Sequence, residues 1–190
     1  TALVSAGEFV VNKRATDEHG PLLEMINSGR FPRLAGGGLV SAEDLIGFSM
    51  GVEGKPYEWG GVNWGDCSAA VSALANFATG RDPFGSRFAT GTQAEGLAQR
   101  GFQPGIGPAG SLSIGWFNGG PYGGHTAATL PNGVNFEMGG ERGNGQDGGD
   151  ATGADDPRFT DHAHLPPDFF LGGDLGAPTV GSVGPNPFTG

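Results

Sequence analysis

Between Ser41 and Val52 the apolar positions Leu45, Phe48 and Val52 recur every three or four residues, as on one face of a helix. The run opens on Ser41-Ala42-Glu43-Asp44, the Ser-x-x-acid form of a capping box, so a helix is predicted from Ser41 to about Val52. Cys67, Val71, Leu74 and Ala78 repeat the pattern at i, i+4, i+7 and i+11. Asp66 is a good N-cap for this second helix and Gly80 suits the position past its end, so Cys67 faces the body of the protein from the first turn. A third helix is expected over Thr92 to Gln99. Downstream the pattern becomes that of short strands: Ser111 to Phe117, His125 to Leu130 and Val134 to Met138. Pro131-Asn132-Gly133 joins the last two, and its Asn-Gly pair is a strong hairpin signal. In the returning strand Val134, Phe136 and Met138 share one face, which leaves Asn135 and Glu137 on the other.

The flanks are less patterned. Residues 1–40 read as a strand (Glu8 to Val11), a helix (about Thr16 to Asn27) and a hinge at Gly36-Gly37-Gly38. Residues 139–156 carry many glycines and no apolar period, so a long irregular loop is expected there, lying against or beside the cleft that holds Cys67. Residues 171–190 are Gly/Pro-rich and read as an extended tail. One α+β domain at about 41–170 is thus expected, between a small structural segment with its linker (1–40) and the tail.

Composition narrows the function. With 39 glycines and 16% charged residues in 190, the chain is no helical bundle. Its formal net charge is −10, which argues against nucleic acid as a partner, since that binding rests on Lys and Arg neutralising phosphates. No apolar run is long enough for a transmembrane segment, and Thr1-Ala2-Leu3-Val4-Ser5 is neither a charged n-region nor an apolar h-region. The expectation is a soluble piece of a longer polypeptide, without a signal peptide.

The single cysteine, Cys67, has no internal disulfide partner. A cysteine attacks carbonyl carbon as a thiolate, which a helix N-terminus and a neighbouring imidazolium both favour. Cys67 has the first by position. Of the four histidines, His19 precedes the hinge and His162 and His164 lie in the acidic C-terminal region, whereas His125 opens a strand, a rigid support for a base. The base works best when a third group accepts its other ring N–H. Glu137, on the hairpin partner and on the polar face, is the first choice, with Asn135 sharing that face two positions earlier.

Gly54-Lys55-Pro56-Tyr57-Glu58-Trp59-Gly60-Gly61 followed by Asp66-Cys67-Ser68 resembles the signature around the nucleophile of the NlpC-type cell-wall peptidase family. Gly124-His125 followed by Asn132-Gly133 resembles that family's second motif. The resemblance covers roughly Ser41 to Met138. It implies a papain-like cysteine peptidase fold, with the nucleophile helix packed on an antiparallel sheet. It also implies hydrolysis of peptidoglycan stem peptides, typically between D-Glu and a diamino acid, with no cofactor and no metal. By the same resemblance Tyr57, Trp59, Asp66 and Ser68 serve the substrate, Tyr57 and the backbone at Cys67 helping to hold the oxyanion. The family's third catalytic position, more often His, falls on Glu137, and its Gly after Asp-Cys-Ser is Ala69 here.

A second resemblance lies at the front. Val4-Ser5-Ala6-Gly7-Glu8-Phe9-Val10-Val11-Asn12, with Leu22-Leu23 and Ile26-Asn27-Ser28-Gly29, is similar to a segment near the end of tape-measure proteins from tails of phages infecting actinobacteria. It implies a place in the virion, action at the host cell wall, and as partners other tail-tip proteins and a homotrimer of the parent chain. Without the phage setting the location would be extracellular or cell-wall associated. Two rival functions stand beside the endopeptidase: a catalytically silent tail component, and an N-acetylmuramoyl-alanine amidase. Asp161-His162-Ala163-His164, with Asp155 and Asp156, reads as a solvated acidic loop rather than a metal site. Trp59, Trp64, Trp116 and Tyr122 are candidates for a groove lining, against the commoner reading of buried aromatics.

Overall fold

The computed structural model describes residues 40–121 and 123–171, together with Lys13. The strand, helix and hinge expected within residues 1–39, Tyr122 and the tail beyond residue 171 lie outside the described residues. The chain divides into two compact units, Thr1–Leu34 and Ala35–Gly190, and the described residues from 40 onward belong to the second.

Among residues 40–171, three α-helices form where the sequence predicts them. The first, α1 (Ala42–Ser49), starts from a capping box: Asp44 N donates to Ser41 Oγ at 3.0 Å and Ser41 N to Asp44 Oδ2 at 3.3 Å, and the chain continues as a 3-10 turn over Met50–Val52. The second, α2 (Cys67–Ala78), is capped by Asp66, whose Oδ1 accepts from Ala69 N at 2.8 Å, an arrangement that stabilises a helix by about 1 kcal/mol. The third, α3 (Gln93–Ala98), follows a 3-10 turn at Thr90–Thr92.

The helices pack on a six-stranded antiparallel sheet made of β1 (Gln103–Pro104), β2 (Leu112–Asn118), β3 (Gly124–Thr129), β4 (Asn135–Gly139), β5 (Asn144–Asp147) and β6 (Asp161–Leu165), in the order β1-β6-β2-β3-β4-β5. The fold is therefore α+β. Helix α2 lies across β3 and β4, and α1 lies on α2. Leu45, Leu74, Ile114, Phe136 and Leu165 are fully buried in the core between these layers, each contributing about 1.5–3 kcal/mol relative to exposure.

The expected hairpin forms in the expected register. Ala127 faces Glu137 and Thr129 faces Asn135, Leu130 N donates to Val134 O at 2.8 Å, and the turn residue Gly133 has a positive φ. Phe136 and Met138 point into the core and Val134 packs against it, while Glu137 occupies the other face.

Two expectations are corrected. Residues 139–156 are not irregular throughout, because Asn144–Asp147 forms β5. That strand is held by β4 on one side and on the other by Gly54 N to Gly145 O (3.0 Å), Gly145 N to Lys55 O (2.8 Å) and a bridge between Pro56 and Asn144. Likewise Asp161–Leu165 is no solvated loop but β6, inserted between β1 and β2 with Ala163 and Leu165 buried. At the edge of the unit, Ser41 and Leu171 form a parallel bridge.

Candidate active site

Because α2 crosses β3 and β4, the first residue of the helix meets the second residue of β3. Cys67 sits at the first helical position and is 8% exposed. His125 stands one residue into β3, and its approach depends on Gly124. There φ is +113°, and a Cβ would come 2.8 Å from Thr90 Oγ1 and still closer to the carbonyl of Phe117. Any side chain at 124 would push β3 away from β2, so the glycine before the histidine is a steric requirement.

His125 Nε2 lies 2.7 Å from Glu137 Oε1, and the second carboxylate oxygen, Oε2, accepts from Thr152 N at 3.0 Å. Glu137 is only 1% exposed. Burial pushes its carboxyl up, yet the hydrogen bonds from His125 and Thr152 outweigh that and hold it below the ordinary carboxylate value. Burial likewise pulls His125 down, and it is overcome by hydrogen bonds with Cys67 and Glu137 and by their negative charge, so that the ring rises to about 9. With Nε2 committed to Glu137, Nδ1 is the nitrogen left for Cys67. The ring of Phe159 lies 6.1 Å from that of His125, nearly parallel to it. Next to the carboxylate, Gly140 has φ +54°, and a Cβ there would run into the Glu137 carboxyl group.

Cys67 and His125 open into a cavity of about 500 Å³ that Tyr57, Trp59 and Phe117 also line. Gly139, Gly140 and Gly143 line it as well, so the first part of the glycine-rich stretch does lie at the cleft. Tyr57 is carried there by the segment hydrogen-bonded to β5 and packs over Gly139, where a Cβ would sit 3.2 Å from its ring. Its phenol is raised above the ordinary tyrosine value by burial and by the negative charge of Cys67 and Asp66, which keeps it a proton donor. Trp59 is 67% exposed, its indole over Gly123 at the cavity mouth.

Asp66 and Ser68, expected at the substrate, do not line the cavity. The Asp66 carboxylate is spent on structure: it caps α2, accepts from Gly60 N at 3.1 Å and from Ser68 Oγ at 2.9 Å, and pairs with Arg87 Nη2 at 2.9 Å. Arg87 also donates to the carbonyls of Gly60 and Gly61, clamping the loop that delivers Trp59. Trp64 packs with Phe48 and Phe84, and Trp116 is buried, so of the described tryptophans only Trp59 reaches the cleft. Asn135 turns away from His125, accepting from Thr129 Oγ1 at 3.0 Å and donating to Ala151 O at 3.1 Å. His164 Nδ1 lies 2.9 Å from Gly105 O, and among the described residues no three His, Cys, Asp or Glu side chains gather as a metal site would require.

Sequence reasoning missed Thr152, Gly140, Phe159 and Arg87. Thr152 acts through its main-chain N–H, which no side-chain pattern signals, and Gly140 is one of several glycines in its stretch. Arg87 is the only cation between Arg81 and Arg100, within the chain that returns past the nucleophile helix. Its isolation was the one available cue.

Fold and site together define an α+β domain in which a helix-borne cysteine and a strand-borne histidine line one cleft, with a buried carboxylate bonded to the histidine. No protein-family model, curated protein or solved structure matches the chain. Among the described residues no helix is long and apolar enough to cross a membrane.

Proposed function

We propose that this chain is a papain-like cysteine peptidase of the NlpC type that hydrolyses peptidoglycan stem peptides, at the bond between D-Glu and a diamino acid. The observation that carries the reading is the His125–Glu137 pair at 2.7 Å beside Cys67. Cys67, at the first position of its helix, and His125 both line one cleft, a placement that a purely structural domain does not need, which weighs against a silent scaffold.

In the mechanism the Cys67 thiolate attacks the scissile carbonyl carbon and the C–N bond breaks. The His125 imidazolium gives its proton to the departing amine, leaving a thioester on Cys67. Water then attacks the thioester while His125 takes its proton, and the acid product leaves as the thiolate is restored. Glu137 stays ionised and holds the ring in register. The first N–H of α2 has no partner within the helix and, with the Tyr57 hydroxyl, suits the developing oxyanion.

The tape-measure-like N-terminal segment supports a place in a phage tail, as part of a trimeric parent chain among tail-tip proteins, opening the host wall while DNA is delivered. The test is mass analysis of purified actinobacterial peptidoglycan after incubation with the chain and with Cys67→Ala. Stem fragments with a new amino terminus on the diamino acid, absent with the variant, are expected. Release of whole stems from the glycan would point instead to amidase action, and intact wall would end the enzymatic reading.

A further inference from the structure

The cleft at Cys67 has no charged wall. Apart from Cys67 and His125 its lining residues are Tyr57, Trp59, Phe117, Pro121 and six glycines, with no Lys, Arg, Asp or Glu among the described residues that form it. The nearby guanidinium groups are already committed: Arg142 pairs with Glu53 at 2.9 Å, Arg158 with Asp156 at 2.8 Å and Arg87 with Asp66 at 2.9 Å. Lys55, two residues before Tyr57, is exposed and does not line the cavity. Behind the His125 ring stands the buried carboxylate of Glu137, and the whole chain carries a formal net charge of −10.

A carboxylate entering this space would give up water and find a single cation, the His125 imidazolium, which already faces Cys67 and Glu137. An unpaired charge in such a place is penalised far more than a neutral amide. The glycine walls present main chain instead of side chains, part of it already paired, as Gly143 N is with Gly139 O at 2.9 Å. A carboxamide can both donate to and accept from main-chain groups, whereas a carboxylate only accepts.

Resting on the hydrolytic reading above, we propose that the cleft selects stem peptides whose carboxyl groups flanking the scissile bond are carboxamides rather than free acids. The aromatic side chains contact the neutral peptide, and the glycines let its backbone approach the nucleophile closely.

The test uses the full chain and two synthetic stem peptides. One is free at the glutamyl α-carboxyl and at the distal carboxyl of the diamino acid, and the other carries carboxamides at both. Hydrolysis is measured with the unmodified chain and binding with Cys67→Ala. A preference of about tenfold or more for the carboxamide form is expected in both, the ratio that one unpaired polar or charged group commonly produces. Pro121→Lys, which adds a cation to the wall, is expected to narrow that ratio by improving the free-acid peptide. Equal or better binding of the free acid overturns the proposal. If neither peptide is cleaved while Cys67→Ala still binds the carboxamide form more tightly, the hydrolytic reading fails and the selectivity stands.

Discussion

Glu137 bonds His125 with one carboxylate oxygen, Nε2 to Oε1 at 2.7 Å, and the Thr152 amide with the other, so it is fixed from two sides while almost fully buried. Replacing it by Gln keeps the shape and the Thr152 bond but removes the charge. We expect Glu137→Gln to fold and to lose hydrolysis roughly ten- to a hundredfold, since a neutral amide supports the imidazolium less well. Stopped assays on stem peptides measure this. Asn135→Ala is the control, because Asn135 serves Thr129 and Ala151 rather than the ring. Full activity in Glu137→Gln with none in Asn135→Ala would reverse the assignment.

The raised histidine makes stability depend on pH in a defined direction. His125 goes from an ordinary 6.5 to about 9 on folding. Its contribution is therefore fully present below pH 6.5 and lost as pH rises through about 9. Glu137 is lowered from 4.5, so its contribution is present above that value and lost as pH falls below it. Denaturant unfolding across pH should give greatest stability between these limits. In Glu137→Gln the acid limb should flatten and the alkaline limb should move to lower pH.

Gly140 supplies a separate test of the carboxylate's seat. Its φ of +54° and the collision of any Cβ with the Glu137 carboxyl group act together. Gly140→Ala is expected to cost about 1–3 kcal/mol in thermal unfolding. It should also shift the alkaline limb of the rate profile downward, as the displaced carboxylate loses His125. A variant with unchanged melting and rate profile would show that the carboxylate does not depend on this glycine.

Asp66→Ala distinguishes structure from substrate contact. The change removes a helix cap and strands Arg87, which pairs with it at 2.9 Å. Loss of about 2–4 kcal/mol is expected by chemical denaturation. At a temperature where the variant remains folded, KM for a stem peptide should change little. A large rise in KM with native stability would instead put Asp66 in contact with substrate.

How far the chain could be read beforehand differs element by element. The capping box at Ser41 and the cap at Asp66 fixed two helix starts, because each depends on residues within one turn. Asn132-Gly133 fixed the hairpin, and with it the face and register that bring Glu137 to His125. Strand β5 escaped because Asn144-Gly145-Gln146-Asp147 has no apolar alternation; it is held by backbone bonds to β4 and to residues 54 and 55, partners distant in sequence. In β6 the alternation was present at Ala163 and Leu165 but too short to stand out among acids and histidines. The motif points Asp66 and Ser68 at substrate, yet their partners, Arg87 and Gly60, are set by how the loop folds back.

The position of β6 within the sheet bears on how the protein is made. Of the six strands it emerges last from the ribosome, yet it lies between β1 and β2 rather than at an edge. Until residue 165 has been synthesised, β2 has an open edge and β1 has no neighbour, although the strands bearing His125 and Glu137 are already available. A nascent or prematurely terminated chain therefore exposes a row of unpaired amides and carbonyls beside apolar Leu112 and Ile114, a surface that recruits other strands. Arrival of β6 thus protects the protein from self-association during its own synthesis.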